Sequence, residues 1–313
     1  MTATLDLRAP AKVNLSLEVL ARLPNGYHQL DTWMHKVSLF DHLSLRLTGN
    51  VGIRLSCADM DVPADESNLV HRAAMAFYAE VGREPQVAIT LRKKIPVAAG
   101  LGGGSSDCAA TLQGLNHLHG SPLSRQRLMA LGAGLGADVP FFLFPFPSAR
   151  ARGIGEQLMA LPPLHDCFLV LVNPGIAVST KWVFANLPQE FSGRSQLNEW
   201  RNSPKTANYA LTTAGKTYIL GRALQRCLDF KLINDLEQVT IAKYPEILTI
   251  KEALLAQKSC GALMSGSGST VFGLFRDKDD ACSCAARLEV EYPHWRIMVT
   301  NPLDEAACSP ELS

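Results

Sequence analysis

Residues Ile95 to Ala110, reading IPVAAGLGGGSSDCAA, constrain this chain more than any other stretch. Gly100, Gly102, Gly103 and Gly104 fall between the strand-like run Val87 to Leu91 and an alanine-rich helical pattern. Backbone this bare leaves its N–H groups unshielded. The helix start that follows adds unpaired donors at the positive end of a dipole. Ser105 and Ser106 bring hydroxyls to the same turn, and either can cap the helix that runs toward His119. That is the chemistry of a phosphate cradle. The stretch has neither the lysine of a Walker loop nor the spacing of a dinucleotide fingerprint. Four glycines with two hydroxyls also exceed what a merely flexible, serine-capped loop requires.

At 313 residues the chain has room for one large or two medium domains with a real core. Its formal charge of +1 supplies no basic field for nucleic acid and no acidic tail. The start, MTATLDLRAP, has no apolar signal segment, and no apolar run approaches the roughly 20 residues that span a bilayer. Of the eight cysteines, Cys57, Cys108, Cys167, Cys227 and Cys260 stand singly and Cys282 and Cys284 form a lone C-x-C. Without paired zinc spacing, reduced thiols in a cytoplasmic protein are expected.

Val13, Leu15, Leu17 and Val19 alternate, so Lys12 to Leu20 reads as a strand with one buried face. Further strands are expected at Thr32 to Leu39 and Leu43 to Leu47, and a helix over Asn68 to Glu80, capped by Ser67 or Asn68 with Leu69, Ala73, Ala76 and Phe77 on its apolar stripe. Helical stretches follow near Ser105 to Leu118 and Ser124 to Leu131, and Phe141 to Phe144 reads as an apolar strand closed by Pro145. Pro162 and Pro163 mark a boundary. Beyond it Phe168 to Val172, Ala262 to Met264, Thr270 to Phe275 and Arg296 to Val299 read as strands. Lys216 to Cys227, Asn234 to Thr240, Glu246 to Gln257 and Asp279 to Val290 read as helices, and Pro188 to Asn208 as a polar loop. This interleaving without repeats describes an α+β chain of two domains, 1–160 and 161–313, meeting at a cleft.

Two motifs mislead. Ala210 to Thr217, ALTTAGKT, approaches a Walker loop but begins with alanine and follows no strand. Gly132 to Ala137, GAGLGA, fits G-x-G-x-x-A but follows a helical stretch, so it reads as a helix terminator and turn. Met264 to Thr270, MSGSGST, is bare enough to approach a ligand or another loop, although a tight turn at a sheet edge explains it too. Lys12 and Asp138 taken alone are ordinary: a lysine on a strand and a carboxylate before a helix or strand are usually solvated.

A proline, three residues and then GLGGGSS resembles the ATP loop of the galactokinase–homoserine kinase–mevalonate kinase (GHMP) superfamily. Ala9 to Leu15, APAKVNL, with Asn25 to Leu30, NGYHQL, resembles the opening motif of one branch, which phosphorylates the 2-hydroxyl of 4-diphosphocytidyl-2-C-methyl-D-erythritol in the non-mevalonate route to isopentenyl diphosphate. Gly136 to Phe142, GADVPFF, is similar to that branch's aspartate motif. So are Ala151 to Glu156, Asn234 to Glu237 and the GSGST element. The resemblance runs from about residue 8 to about residue 300. Pro145 to Ser148 and Cys108 depart from the branch's pattern, and Gln189 to Tyr209 matches little of it.

The resemblance implies a two-domain α+β GHMP-kinase fold, with an N-terminal ribosomal-protein-S5-like domain, a C-terminal ferredoxin-like α/β domain and the active site between them. It implies Lys12 and Asp138 as the catalytic pair, the ammonium keeping the carboxylate ionised and able to take the hydroxyl proton. ATP would lie against Lys93, Pro96, Val97, Ala98, Ala99, Gly100, Leu101, Gly102, Gly103, Gly104, Ser105 and Ser106, and Mg²⁺ would arrive mainly with it. Substrate would meet Asn14, Tyr27, His28, Asp138, Thr180 and Phe184, with Tyr27 and Phe184 flanking a cytosine ring and His28 bonding its polar edge. Gly266, Ser267 and Gly268 would line the site. A homoserine- or mevalonate-type kinase would keep the ATP loop but lack NGYHQL. A ligand-binding pseudokinase is at odds with the presence of both Lys12 and Asp138. An RNA-binding protein on a similar N-terminal fold is at odds with the near-zero charge. The partners expected are ATP and a small molecule, without nucleic acid or membrane, and oligomeric state stays open.

Overall fold

The computed structural model describes residues 4–58, 62–188, 210–213, 216–219 and 231–305. The first half runs β1 (Thr4–Arg22), β2 (His28–Leu47), β3 (Gly52–Ala58), α1 (Leu69–Val81), β4 (Gln86–Arg92), α2 (Gly103–Leu118), α3 (Arg125–Ala133), α4 (Val139–Leu143), β5 (Ser148–Gly153) and β6 (Gln157–Ala160). The second half continues with β7 (Phe168–Asn173), α5 (Thr180–Ala185), β8 (Ala210–Thr213), β9 (Lys216–Ile219), β10 (Ile233–Asn234), α6 (Glu237–Lys243) and α7 (Glu246–Ala256). It closes with β11 (Gly261–Met264), β12 (Val271–Phe275), α8 (Lys278–Glu291) and β13 (Arg296–Thr300).

The larger sheet has the order β10-β1-β2-β4-β3, and β5 and β6 extend it from the other end of β2. The smaller is an antiparallel β11-β12-β7-β13 sheet. β10, from the second half of the chain, pairs in parallel with β1, so the two halves share the larger sheet.

The long β1–β2 ribbon is where sequence periodicity and structure part company. Leu5, Leu7 and Ala9 pack with α1 and α2, whereas Ala11, Val13 and Leu15 face the second sheet through Leu169, Leu171, Phe272 and Leu274. All six are odd-numbered, so a regular strand would put them on one face. A register shift between Pro10 and Ala11 reverses the alternation, as a bulge does. Lys12 consequently turns toward the starts of α2 and α4, with Asn14 beside its ammonium. The bulge makes the site.

Local rules account for most helices. Asn68 caps α1 by accepting from Val70 N, and Gly82 ends it at φ 62°. The buried stripe is Val70, Ala73, Ala74, Phe77 and Tyr78, rotated from the expected one. Gly132 to Ala137 forms the terminator and turn at the end of α3. Neither serine caps α2: Gly102, at φ 70°, occupies the cap position. The run expected as a strand at 141–144 is the short helix α4, whose Pro140 stands in the first turn, where its missing N–H leaves no bond unmade. The helix expected from Lys216 instead begins as β9, and ALTT and KTYI form the β8–β9 hairpin in place of a Walker loop. Gln189 to Tyr209 and residues 220–230 lie outside the described residues. No helix among the described residues is long and apolar enough to cross a membrane.

His35 ties the connection between the halves to β2. Leu164 N donates to its Nε2 at 2.9 Å, so the proton must sit on Nδ1, which faces Lys36 O at 2.8 Å. That pattern requires the neutral ring. Burial pushes the ring's pKa down to about 4; His165 and Lys36 act in the same direction, against the backbone bond to Lys36. Because the unfolded chain takes up this proton first, the contribution is complete above about pH 6.5 and is lost as pH falls toward about 4, up to roughly 3 kcal/mol. Urea unfolding between pH 7 and 4.5 is expected to lose less stability in His35→Gln than in wild type. Equal slopes would remove His35 as the cause.

Candidate functional site

The loop from Pro96 to Gly102 and the first turn of α2 form one wall of the cleft. No side chain caps α2, which leaves its N-terminal N–H groups turned to the loop, an arrangement suited to phosphate. Gly100 has φ 78° and lies so close to the 264–270 turn that a Cβ would stand 2.0 Å from Ser265 O. Ser265 Oγ donates to Gly100 O at 2.9 Å and Thr270 N to Ala99 O at 3.2 Å. The two glycine motifs, some 165 residues apart, are one structure.

Lys12 and Asp138 meet beside it. Lys12 N donates to Leu101 O at 2.9 Å, fixing β1 to the loop. Its side chain, 5% exposed, brings Nζ within 2.5 Å of Asn14 Oδ1 and 3.7 Å of Asp138 Oδ2. Burial pushes the ammonium below its ordinary range, and the Asp138 carboxylate draws it partly back. Asp138 stands at the N-terminus of α4 with no capping bond, its side chain partly open to solvent. Asn14 Nδ2 donates to Thr32 Oγ1 at 2.8 Å and Thr32 Oγ1 to Ser16 O at 2.6 Å, so this amide is oriented with its oxygen toward Lys12. A Cβ on Gly136 would lie 3.7 Å from Ser105 Oγ, which places that hydroxyl on the Asp138 side of the cradle.

Two of the expected ATP contacts, Lys93 and Ser106, have buried side chains. Lys93 is buried and paired with Asp41 and, at 2.7 Å, with Asp107. Asp41 Oδ1 also accepts from Lys94 N and Ile95 N. This triad clamps the entry of the ATP loop to the first turn of α2, behind the cradle. Burial together with the second carboxylate drives the Asp107 carboxyl up to about 7, against the pull of Lys93. Ser106 is 1% exposed and its hydroxyl is enclosed, so Gly104 and Ser105 are the residues that front the cradle. A Cβ on Gly103 would meet Ile95 and Lys93 at 3.0 to 3.1 Å, so a side chain has no room on the inner side of this first residue of α2.

His28 stacks on Phe184 with ring centroids 5.1 Å apart and planes 26° from parallel. That separation leaves no space for a third ring between them. Burial and Arg22 both push the His28 pKa down, favouring the neutral ring. Tyr27 is 58% exposed. Thr180 Oγ1 lies 2.8 Å from Ser267 Oγ, which joins α5 to the glycine–serine turn. Among the described residues no group of three or more His, Cys, Asp or Glu side chains is placed to hold a metal ion.

The family models for the GHMP kinases N terminal domain and the GHMP kinases C terminal domain match residues 68–145 and 213–294. A Geobacter 4-diphosphocytidyl-2-C-methyl-D-erythritol kinase is 45% identical over 91% of this chain and 94% of its own length. The chain belongs to the 4-diphosphocytidyl-2-C-methyl-D-erythritol kinase family. Another member, from Pelobacter propionicus, is 43% identical over 96% of this chain and 99% of its own. A crystal structure of a 4-(cytidine 5'-diphospho)-2C-methyl-D-erythritol kinase superposes with a TM-score of 0.72 at 33% identity, covering 95% of this chain and 99% of that one. The two-domain α+β fold expected for a GHMP kinase is thus the observed one.

Proposed function

We propose that this protein transfers the γ-phosphoryl group of ATP to the 2-hydroxyl of 4-diphosphocytidyl-2-C-methyl-D-erythritol. Identity of 45% to a kinase of that name over nine tenths of the chain carries the reading. The site chemistry supports it. ATP phosphates lie along the N-terminus of α2, with Gly104 and Ser105 in front. Asp138 accepts the proton of the 2-hydroxyl as its oxygen bonds to the γ-phosphorus, and ADP leaves with the electrons of the broken P–O bond. Lys12, 3.7 Å from Asp138, holds that carboxylate in place and offsets negative charge on the transferred group. Mg²⁺ would be carried mainly by the ATP phosphates and water, and would supply charge neutralisation.

The cytidyl end is read as the region of Tyr27, His28 and Phe184. Since His28 already covers one face of Phe184, the base lies between Tyr27 and the remaining aromatic surface, with His28 at its polar edge. Stacking contributes about 1–3 kcal/mol per base, so Phe184→Ala is expected to weaken this substrate by roughly 5- to 150-fold and leave ATP affinity unchanged. Titration calorimetry with each ligand checks it, and equal losses for both would place Phe184 in general packing. The reaction itself is tested by ADP release over a panel of alcohols. Turnover confined to the cytidyl methylerythritol is expected; turnover confined to homoserine or mevalonate would overturn the assignment.

A further inference from the structure

The glycine–serine turn between β11 and β12 is gripped from behind by β10 and α6. Asn234 Nδ2 donates to Met264 O and to Gly266 O, each at 2.7 Å, while its Oδ1 accepts from Leu236 N at 3.0 Å. Every polar function of this amide is used, and no other side chain of its size supplies two donors and an acceptor. Glu237 and Thr240 follow at spacings of three. Glu237 Oε1 accepts from Met264 N at 3.0 Å, with Oε2 held by Lys251 at 2.5 Å, and Thr240 Oγ1 donates to Ser267 O at 3.1 Å.

What the turn presents in front is Gly266. A Cβ at this glycine would stand 3.2 Å from Gly100 O, 3.3 Å from Lys12 Nζ and 3.4 Å from Asn14 Oδ1. The missing side chain of Gly266 is therefore what leaves room for the Lys12 ammonium beside the turn. Lys12 has four side-chain torsions, and the bond to Asn14 fixes only one direction of its head group. Asn234 does not touch Lys12. It fixes the carbonyl of the glycine that lies beside the ammonium.

We propose that Asn234 is a positioning residue for phosphoryl transfer, acting through Gly266 to place the Lys12 ammonium. The proposal rests on the reading of Lys12 and Asp138 as the catalytic pair. Without the Asn234 amide, two buried carbonyls lose their donors and the middle of the turn shifts. Its ends stay held by Glu237, Thr240, Ala99 and Gly100. A displacement of about 1 Å near reacting groups reduces rate by up to about 10²-fold, and ground-state contacts to ATP and alcohol change little.

The experiment is a double-mutant cycle with Lys12, read by single-turnover quench of ATP with the cytidyl alcohol. Asn234→Ala is expected to lower the rate by about 10- to 100-fold with KM for both substrates within about 3-fold. In a Lys12→Ala background the same change is expected to slow the reaction by less than about 2-fold, because the group it positions is gone. Asn234→Asp keeps the shape, lacks the donors and is expected to behave alike. A loss that repeats in full without Lys12 would make Asn234 a general brace of the fold and overturn the proposal, as would failure of both variants to fold. A normal rate in Asn234→Ala would overturn it directly. An inactive wild type would instead sink the kinase reading.

Discussion

Asp138→Asn is expected to reduce kcat by about 10²-fold or more while both substrates still bind, the effect of removing a positioned general base. The amide is nearly isosteric with the carboxylate, and Asp138 makes no capping bond that α4 depends on, so the fold has no reason to respond. What changes is local charge. Lys12 would keep Asn14 at 2.5 Å but lose the carboxylate that draws its pKa upward against burial. The ammonium then loses a proton more readily, and part of the charge that faces the transferred group goes with the base. Steady-state rates paired with calorimetry decide this. Near-normal turnover in a folded Asp138→Asn protein would take Asp138 out of the mechanism.

The parts of the molecule legible in the sequence are those set by neighbours along the chain. Glycine density marked the ATP loop, Asn68 marked the start of α1, and the alternation in Lys12 to Leu20 marked a strand. Readings that failed depended on partners far away. The resemblance puts Lys93 against ATP, yet Asp41, 52 residues earlier, and Asp107 pair with its ammonium. Nothing local announces that. Phe141 to Phe144 is an apolar run of four, too short for periodicity to separate strand from helix, and Pro140 tips it to a helical first turn. The bulge after Pro10 is invisible to alternation, although it alone turns Lys12 toward α4. Asn234 was legible only as part of a motif. Its task depends on a turn 30 residues later, and a pair of donors with their carbonyls across a fold leaves no spacing signal.

Gly100→Ala is expected to damage the enzyme more than any other single methyl added to the cleft. Two effects combine at this position. The backbone at φ 78° is one that L side chains rarely adopt, at a cost of about 1–2 kcal/mol. The added Cβ would also stand 2.0 Å from Ser265 O, with Ser265 C at 3.0 Å and Gly268 N at 3.1 Å. These are backbone atoms, so no side-chain rotation relieves the contact, and the ATP loop must part from the 264–270 turn. The bonds Ser265 Oγ to Gly100 O and Thr270 N to Ala99 O would open together, and Gly266 would move off Lys12. The expected result is a melting temperature lower by several degrees and loss of protection by nucleotide. Gly104→Ala is the internal control: its φ is helical and its Cβ would make only an ordinary contact, 3.5 Å from Leu69 Cδ1. Alanine there should leave the fold as stable or about 0.5–1 kcal/mol more stable. Thermal unfolding of both variants, with and without ATP, separates the cases. A Gly100→Ala protein that melts like wild type and is protected equally by ATP would show that the two loops need not touch for the cradle to form.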